Sequence, residues 1–270
     1  MITSIFRCVF VVFSIVFCGD ILAQSTASQQ VTKFNIEAPQ LGATKTIWVY
    51  LPKTYQTSNK SYPTIYMHDA QNLFDKETSY IGEWQVDEYL DSLTDKESIV
   101  IGIEHGNEKR IDELTPYKHD KYGGGNGDAY LSFIRQTLKP HIDVAYRTLK
   151  DKQNTSICGS SLGGLISFYA ILKYPETFNN ALVFSPSFWF SEAIFEMAQE
   201  TVIPDTSRFY FLVGTNESED MVINQERMID LLLNKGVNPD NIYNKIVEGG
   251  KHNEALWATY FPEAYQWLYK

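Results

Sequence analysis

A serine framed by two glycines is the residue of this sequence best suited to chemistry. Ser161 stands between Gly159 and Gly163 in a Gly-x-Ser-x-Gly pattern, after a run with β character and before an apolar run suited to a helix. A turn that leads directly from strand to helix strains its apex residue and presents the hydroxyl above the sheet. The amide of Leu162 would point at the same place from a helix N-terminus, which suits an oxyanion. The pattern therefore predicts a nucleophilic serine, although these five positions alone are a weak signal.

A base and an acid for this serine follow it along the chain. His252 is the one histidine that comes after Ser161 in the sequence, and Glu217 lies between them, after a predicted strand. The order nucleophile, acid, histidine is that of the α/β-hydrolase triad, in which the histidine takes the serine proton and the carboxylate holds the imidazole tautomer. Asp220 is the alternative acid, because it lies one helical turn further on, and Glu219 comes third.

The remaining parts of such a site are predicted from strand ends. The second oxyanion donor should come from the loop after the first parallel strand, where the N–H of Gln71 is the first candidate and that of Ala70 the next. Trp84, His105 and Trp189 lie at or just beyond strand ends, so they are candidates for lining the acyl or alcohol pocket. Each of these three is equally compatible with a packing role.

Alternating strands and helices would position these residues. Residues 31–38 and 44–51 predict an antiparallel pair, and from Thr64 onward strand and helix patterns alternate. Right-handed crossovers then build a mainly parallel sheet with helices on both faces, an α/β fold whose functional groups gather at the carboxyl ends of the strands. The predicted strands are 63–69, 98–103, 154–158, 181–185, 209–214 and 241–247, and the predicted helices are 84–93, 129–146 with an interruption near Pro140, 165–172, 220–235 and 254–269.

A long polar segment interrupts this alternation at residues 104–128. It is rich in glycine but lacks the Gly-Lys-Ser/Thr ending of a phosphate-binding loop and has no strand directly before its glycines. We therefore expect a surface excursion beside the site, because long loops in compact domains often carry function.

Composition predicts one ordinary globular domain. The chain has 270 residues, of which 44% are hydrophobic and 21% charged, and its formal net charge is -10. This charge would repel a nucleic acid backbone, so we expect no nucleic acid partner. Nothing in the sequence indicates an oligomeric state, and no pattern calls for a metal or a cofactor.

The N-terminus predicts export. Arg7 precedes a short apolar run, and Ala23 is a small residue at a suitable cleavage position, so residues 1–23 are interpreted as a signal peptide and 24–270 as the mature domain, with no membrane span. The product would be periplasmic or secreted. Anchoring as a lipoprotein through Cys18 is a less favoured alternative, because bulky Phe17 precedes it. After cleavage Cys158 is the one remaining cysteine, and we expect a small buried hydrophobe there rather than a nucleophile.

Seven segments together resemble one known family. They are residues 50–52, 67–75, 146–148, 159–164, 185–187, 214–217 and 250–252. In this combination they resemble the esterase D/enterochelin esterase-like family of α/β-hydrolases, which also takes in feruloyl and acetyl xylan esterases and the antigen 85 acyltransferases. The resemblance runs from about residue 44 to the C-terminus.

The resemblance implies an α/β-hydrolase fold and a metal-independent serine ester hydrolase. Ser161 would be the nucleophile, His252 the base and Glu217 the acid. Gln71 would supply the oxyanion donor, since the family's Asp-Gly-x loop matches residues 69–71, with Ala70 in place of the usual glycine.

Several functions stay open within this resemblance. The leading hypothesis is hydrolysis of acyl groups on carbohydrate, acetyl or feruloyl, because the protein is predicted to be exported and aromatic and polar loop residues border the site. A siderophore trilactone esterase is the alternative, and acyl transfer to an alcohol comes third. A non-catalytic binding protein on a hydrolase scaffold is the alternative from another class, but it predicts a defective triad.

Overall fold

The computed structural model describes residues 25–270, apart from the side chain of Glu219. The predicted signal peptide lies outside the described residues, so it stays a prediction. No helix within residues 25–270 is both long enough and apolar enough to cross a membrane.

Runs of β-branched and aromatic residues form one sheet. Its strands in this part of the chain are β1 (Val31–Ala38), β2 (Ala43–Tyr50), β3 (Thr64–His68), β4 (Ile99–Ile103), β5 (Thr155–Ser160), β6 (Asn180–Phe184), β7 (Arg208–Gly214) and β8 (Ile242–Val247). The spatial order is β1-β2-β4-β3-β5-β6-β7-β8. The β1–β2 and β2–β4 pairs are antiparallel and the others parallel, as in an α/β fold with an antiparallel edge. The sheet confirms the predicted α/β-hydrolase class.

Helices cover both faces of this sheet. They are α1 (Val86–Asp91), α2 (Arg110–Leu114), α3 (Gly127–Phe133), α4 (Lys139–Ala145), α5 (Leu162–Lys173), α6 (Ala193–Glu200), α7 (Glu219–Asn234) and α8 (Glu254–Leu268). Apolar residues of α1 and α8 pack in one core cluster, and those of α3 to α7 pack in another on the opposite face. Strands buried on both faces read as continuous apolar runs, which is why β4 and β6 were visible in the sequence.

The helix predicted at 129–146 is present, and its regular α-helical pattern is interrupted just before its proline. A π-helical turn, Ile134–Leu138, joins α3 to α4, and Pro140 is the second residue of α4. Proline lacks the N–H that an α-helix bonds to the carbonyl four residues earlier, so the hydrogen-bond pattern changes next to it. The chain stays helical, and the predicted interruption near Pro140 takes the form of this π-helical turn.

The first described residues are attached to the domain by side-chain hydrogen bonds. Ser25 Oγ donates to Asp75 at 2.6 Å, and the Ser28 N–H donates to Asp87 at 2.7 Å. The segment that directly follows the predicted cleavage site thus packs on the surface near α1.

Candidate active site

The strained turn predicted at Ser161 is present between β5 and α5. Ser161 has φ 58° and ψ −120°, a conformation that non-glycine residues rarely adopt. Its N–H donates to Phe184 O at 2.9 Å, which fixes the turn against β6. A Cβ at position 159 would lie 2.8 Å from the backbone of Gly163, so the close approach of strand and helix requires glycine there.

Glu217 and His252 meet at the carboxyl edge of the sheet. His252 Nδ1 lies 2.7 Å from Glu217 Oε2. The glutamate side chain is 1% exposed and the histidine side chain 37% exposed. Since Glu217 Oε1 also accepts from Ser185 Oγ at 2.7 Å and from the Gly214 N–H at 2.8 Å, the carboxylate is held in one orientation.

Ser161 and His252 line the same cleft, of about 630 Å³, but no hydrogen bond joins their side chains in the described structure. Ser161 Oγ lies 3.3 Å from Ser187 Oγ instead. Hydrogen bonds between a nucleophile and its base are often long before substrate binds.

The two predicted oxyanion donors lie on two different segments of the site. Leu162 begins α5, and Gln71 lies in a short 3₁₀ turn after β3 and lines the cleft. Among the described residues, neither backbone N–H has a hydrogen-bond acceptor. The Gln71 side chain forms a reciprocal pair with the backbone of His105, at 3.2 and 3.3 Å, which holds the loop in place. Ala70, the other candidate, is fully buried and does not line the cleft.

Comparison with known proteins identifies the family. A family model described as "Putative esterase" matches residues 38–268. The chain belongs to this esterase family. The match confirms the resemblance noted in the sequence, and this protein is therefore an esterase.

Several known proteins share sequence or fold with this esterase. The protein YbbA of Bacillus subtilis (strain 168) is 30% identical over 234 residues, which cover 82% of this chain and 91% of YbbA. The ferri-bacillibactin esterase BesA of the same organism is 37% identical over 67 residues, 25% of this chain and 22% of BesA. The crystal structure of the BES protein from Bacillus cereus superposes with a TM-score of 0.73 at 20% identity and covers 92% of this chain and 98% of that one, which shows a shared fold.

A bidentate ion pair forms part of the cleft wall of this esterase. Arg110 Nε and Nη2 donate to the two carboxylate oxygens of Asp69 at 2.7 and 2.8 Å. Burial by itself would raise the pKa of the Asp69 carboxyl, but the charge and hydrogen bonds of Arg110 hold that pKa below its ordinary value. Asp69 has a left-handed backbone, φ 56°, directly before the turn that carries Gln71. Arg110 was not predicted, because nothing in the polar segment distinguishes it from a surface arginine.

The three predicted substrate-binding residues have different positions. Trp189 is 44% exposed and lines a smaller lobe of about 320 Å³ that also contacts Ser161 and His252. His105 lines the main cleft, and burial is the main cause that lowers the pKa of its imidazole. Trp84 is 3% exposed and packs in the core against Phe184 and other aromatic rings, so its predicted pocket role is wrong. A strand-end position does not tell which way the side chain points.

The polar segment 104–128 brings two aromatic residues to Trp189. His119 and Gly123 pair in a tight antiparallel bridge, with N···O distances of 2.7 and 2.9 Å. The ring of Tyr122 then lies edge-on to Trp189 with centroids 6.0 Å apart, and His119 contacts both rings. The expected surface excursion therefore places two further rings beside Trp189, which lines the smaller lobe, and forms an aromatic wall, defined by His119, Tyr122 and Trp189.

The alternative nucleophile and acids are less well placed. Cys158 is fully buried, and burial raises the pKa of its thiol, which disfavours the reactive thiolate. Asp220 is exposed and forms no hydrogen bond with His252 within the described chain, and the side chain of Glu219 lies outside the described residues.

One group of carboxylates in residues 25–270 is close enough to share a cation. Oxygens of Glu83, Asp87 and Glu88 lie within 4.8 Å of one another at the start of α1. These residues do not line the cleft that contains Ser161. Because the cluster lies outside the cleft, it has no part in the site.

Proposed function

We propose that this esterase is a serine carboxylic ester hydrolase that works through an acyl-enzyme, with Ser161 as nucleophile, His252 as base and Glu217 as acid. The 2.7 Å contact between His252 Nδ1 and the buried Glu217 carboxylate, in the cleft that Ser161 lines, carries the proposal. An ionised carboxylate can only accept, so Nδ1 holds the proton and Nε2 keeps a free lone pair for the serine hydroxyl.

Ester cleavage would proceed in two halves on these groups. Ser161 Oγ turns from Ser187 to His252, attacks the carbonyl carbon and gives its proton to Nε2. The N–H groups of Leu162 and Gln71 donate to the oxyanion. Collapse of this intermediate breaks the bond to the alcohol, which leaves with the proton from His252. Water then attacks the acyl-serine in the same manner and releases the acid.

For the substrate we propose acetyl or feruloyl esters of carbohydrate. The two lobes of the cleft meet at Ser161 and His252, so the acyl group and the alcohol can occupy one lobe each. The exposed indole of Trp189, extended by Tyr122, suits stacking of a sugar or phenolic ring. The larger lobe offers polar partners such as Asn72 for hydroxyl groups.

A siderophore trilactone is the second candidate substrate. Its support is the similarity to ferri-bacillibactin esterase and to the siderophore enterobactin esterase of Emericella nidulans, the latter 30% identical over 67 residues. Phenolic rings of such a substrate would suit the same aromatic wall. The alcohol that leaves would then belong to the trilactone itself.

Turnover of a set of esters tests both the proposed mechanism and the proposed substrate. Wild type, Ser161→Ala and Trp189→Ala would be assayed with p-nitrophenyl acetate, methyl ferulate, acetylated xylan and a catecholate trilactone, and labelled with a fluorophosphonate probe. We expect turnover and labelling that Ser161→Ala abolishes. Loss of activity on methyl ferulate or xylan in Trp189→Ala, with p-nitrophenyl acetate retained, supports the ring-binding lobe.

The other outcomes decide between the alternatives. Efficient cleavage of the trilactone alone favours the siderophore candidate. If the probe labels the protein but product forms only when an acceptor alcohol is added, acyl transfer is favoured. A folded wild type that is neither labelled nor active contradicts the hydrolase proposal and favours a binding protein on this scaffold.

We also propose that the protein is exported and begins near Gln24 after processing. The contacts of Ser25 and Ser28 with the domain would then fix the new terminus on the surface near α1. Mass spectrometry of the mature protein, recovered from the periplasm or the medium, measures the position of cleavage. An unprocessed chain in the cytoplasmic fraction contradicts this proposal.

A further inference from the structure

Ser185 connects an indole N–H to the buried carboxylate of Glu217. Ser185 lies just after β6 and is fully buried. Trp257 Nε1 donates to Ser185 Oγ at 2.9 Å, and Ser185 Oγ donates to Glu217 Oε1 at 2.7 Å. An indole nitrogen can only donate, so the single hydroxyl hydrogen of Ser185 goes to the carboxylate. The direction of this chain of hydrogen bonds is therefore determined by the residue types.

The two carboxylate oxygens of Glu217 accept hydrogen bonds from three donors. Oε1 accepts from Ser185 and from the Gly214 N–H, and Oε2 faces His252. A carboxylate that is 1% exposed has lost its hydration, and these donors replace the hydrogen bonds that water would make. Rotation of the carboxylate would break all of these bonds, so Ser185 contributes to its orientation.

Trp257 contacts the other partner of Glu217 as well. Its indole lies edge-on to the imidazole of His252, with centroids 5.1 Å apart and planes at 88°. It is 5% exposed and packs on Trp84 at its inner side. One rigid side chain thus supports the acid through Ser185 and the base through direct contact.

We propose that Ser185 and Trp257 are positioning residues for the Glu217–His252 pair, an inference that rests on the proposed hydrolase function. Neither residue needs to touch the substrate ester for this role. They hold the Glu217 carboxylate turned so that Oε2 accepts the hydrogen bond from the Nδ1–H of His252. Trp257 acts on the acid through Ser185, because its N–H does not reach Glu217.

The backbone conformation at Ser185 allows the hydroxyl to be removed without strain in the turn. Ser185 has φ 42°, a left-handed conformation that glycine adopts without strain. Ser185→Gly therefore removes the hydroxyl and keeps the turn. Trp257→Phe removes the N–H and keeps an aromatic ring against His252 and Trp84.

Activity on p-nitrophenyl acetate and the rate of fluorophosphonate labelling measure the effect. Loss of a hydrogen bond to a charged group predicts that kcat/KM of Ser185→Gly falls about ten-fold, through kcat rather than KM. Trp257→Phe predicts a smaller loss, about three-fold. Adding Trp257→Phe to Ser185→Gly should cause little further loss in kcat, because the Trp257 N–H acts on Glu217 through the Ser185 hydroxyl.

The pH profile separates positioning from general destabilisation. Without the Ser185 donor, the charge on Glu217 is less dispersed and stabilises the His252 imidazolium more, so the acid limb of kcat/KM should move to higher pH. The other charged or histidine side chains among the cleft residues are Glu254 on α8, His105, Asp69 and Arg110, and none of them changes in this variant. A role in stability alone would leave the position of this limb unchanged.

A matched buried hydroxyl serves as the control. Ser98 is 1% exposed, accepts from Tyr265 OH at 2.9 Å and lies at the opposite end of the sheet, before β4. Ser98→Ala should lower stability but leave kcat and the pH profile as in wild type. The inference is overturned if Ser185→Gly keeps wild-type kcat and pH profile while wild-type labelling depends on Ser161. A wild type that is not labelled overturns the proposed function and this inference together.

Discussion

Arg110 binds both carboxylate oxygens of Asp69, 41 residues before it, at 2.7 and 2.8 Å. The two side chains are 27% and 10% exposed, so the pair is largely removed from water. Asp69 directly precedes the turn of Gln71, and the ion pair therefore fixes the loop that carries the proposed second oxyanion donor.

Removal of this arginine should be costly at neutral pH. Arg110→Gln leaves a buried carboxylate unpaired, and we expect the free energy of unfolding to fall by about 3–5 kcal/mol at pH 7. The neighbouring Lys109→Gln breaks an exposed pair with Asp112, at 3.7 Å, and should cost less than about 1 kcal/mol. Urea unfolding of both variants measures the difference.

The sign of the pH dependence follows from the pKa of Asp69. In the wild type this pKa is lowered, so the stabilisation is present above about pH 4, the ordinary range of the carboxyl, and is lost as pH falls through the folded-state pKa. Without Arg110, burial raises the pKa instead, and the variant loses stability as pH rises above about 4. Equal costs at pH 4 and pH 7 would contradict this account.

Glu217→Gln should reduce kcat strongly, although it only replaces a carboxylate by an amide of the same shape. The Ser185 hydroxyl and Gly214 N–H both donate to one terminal atom, which must be the amide oxygen of glutamine. The amide nitrogen then faces His252 and forces Nδ1 to accept, so Nε2 carries a hydrogen and cannot take the serine proton. We expect kcat to fall by about 10³-fold or more. Steady-state kinetics on p-nitrophenyl acetate measure this loss.

Asp220→Asn is the control for that variant. Asp220 is exposed at the start of α7, and we expect its kcat to stay within about two-fold of the wild type, as for surface substitutions away from a site. A large loss in Asp220→Asn together with an active Glu217→Gln would assign the acid to Asp220 instead.

His68 should make the protein acid-sensitive. Burial lowers the pKa of His68 to about 4, and its Nδ1 contacts Tyr130 OH at 2.8 Å. The unfolded chain takes up a proton near pH 6.5, whereas the folded chain does so only near pH 4, so stability is lost as pH falls between these values. This group contributes a loss of about 3 kcal/mol at pH 4.

Variants at two histidines test this assignment. His68→Gln should be less stable than wild type at pH 7 but should show a shallower decline of the unfolding free energy between pH 6.5 and 4. His141→Gln, at an exposed position, should keep the wild-type slope. Parallel slopes in wild type and His68→Gln would be evidence against a buried neutral histidine.

The two glycines around Ser161 should respond differently to alanine. A Cβ at Gly159 would lie 2.8 Å from the Gly163 carbonyl and from the His68 ring, and overpacking of this kind costs about 1–3 kcal/mol. A Cβ at Gly163 would come no closer than 3.3 Å to His68, and the gain in helix propensity of about 1 kcal/mol offsets the strain. Thermal unfolding of Gly159→Ala and Gly163→Ala compares them; equal destabilisation would show that the close approach is not what requires glycine.

Local patterns in the chain predict the strand, turn and helix around Ser161 and the alternation that builds the sheet. These features depend on local spacing: apolar runs for buried strands, and glycines where strand and helix meet. The order of Ser161, Glu217 and His252 was also readable, because functional groups of such a sheet follow its strands. The bounds of the predicted elements differ from the observed ones by only a few residues, whereas the helices α2 and α6 were not predicted.

Which side chains meet across long distances in the chain depends on how the whole fold packs. Arg110 with Asp69 and Trp257 with Ser185 are joined over 41 and 72 residues, and no local pattern encodes such pairs. The inward turn of Trp84 is of the same kind, because a position after a strand does not fix side-chain direction. Local periodicity indicates which face of a helix or strand is buried. The side chains that this face contacts depend on how all the elements pack.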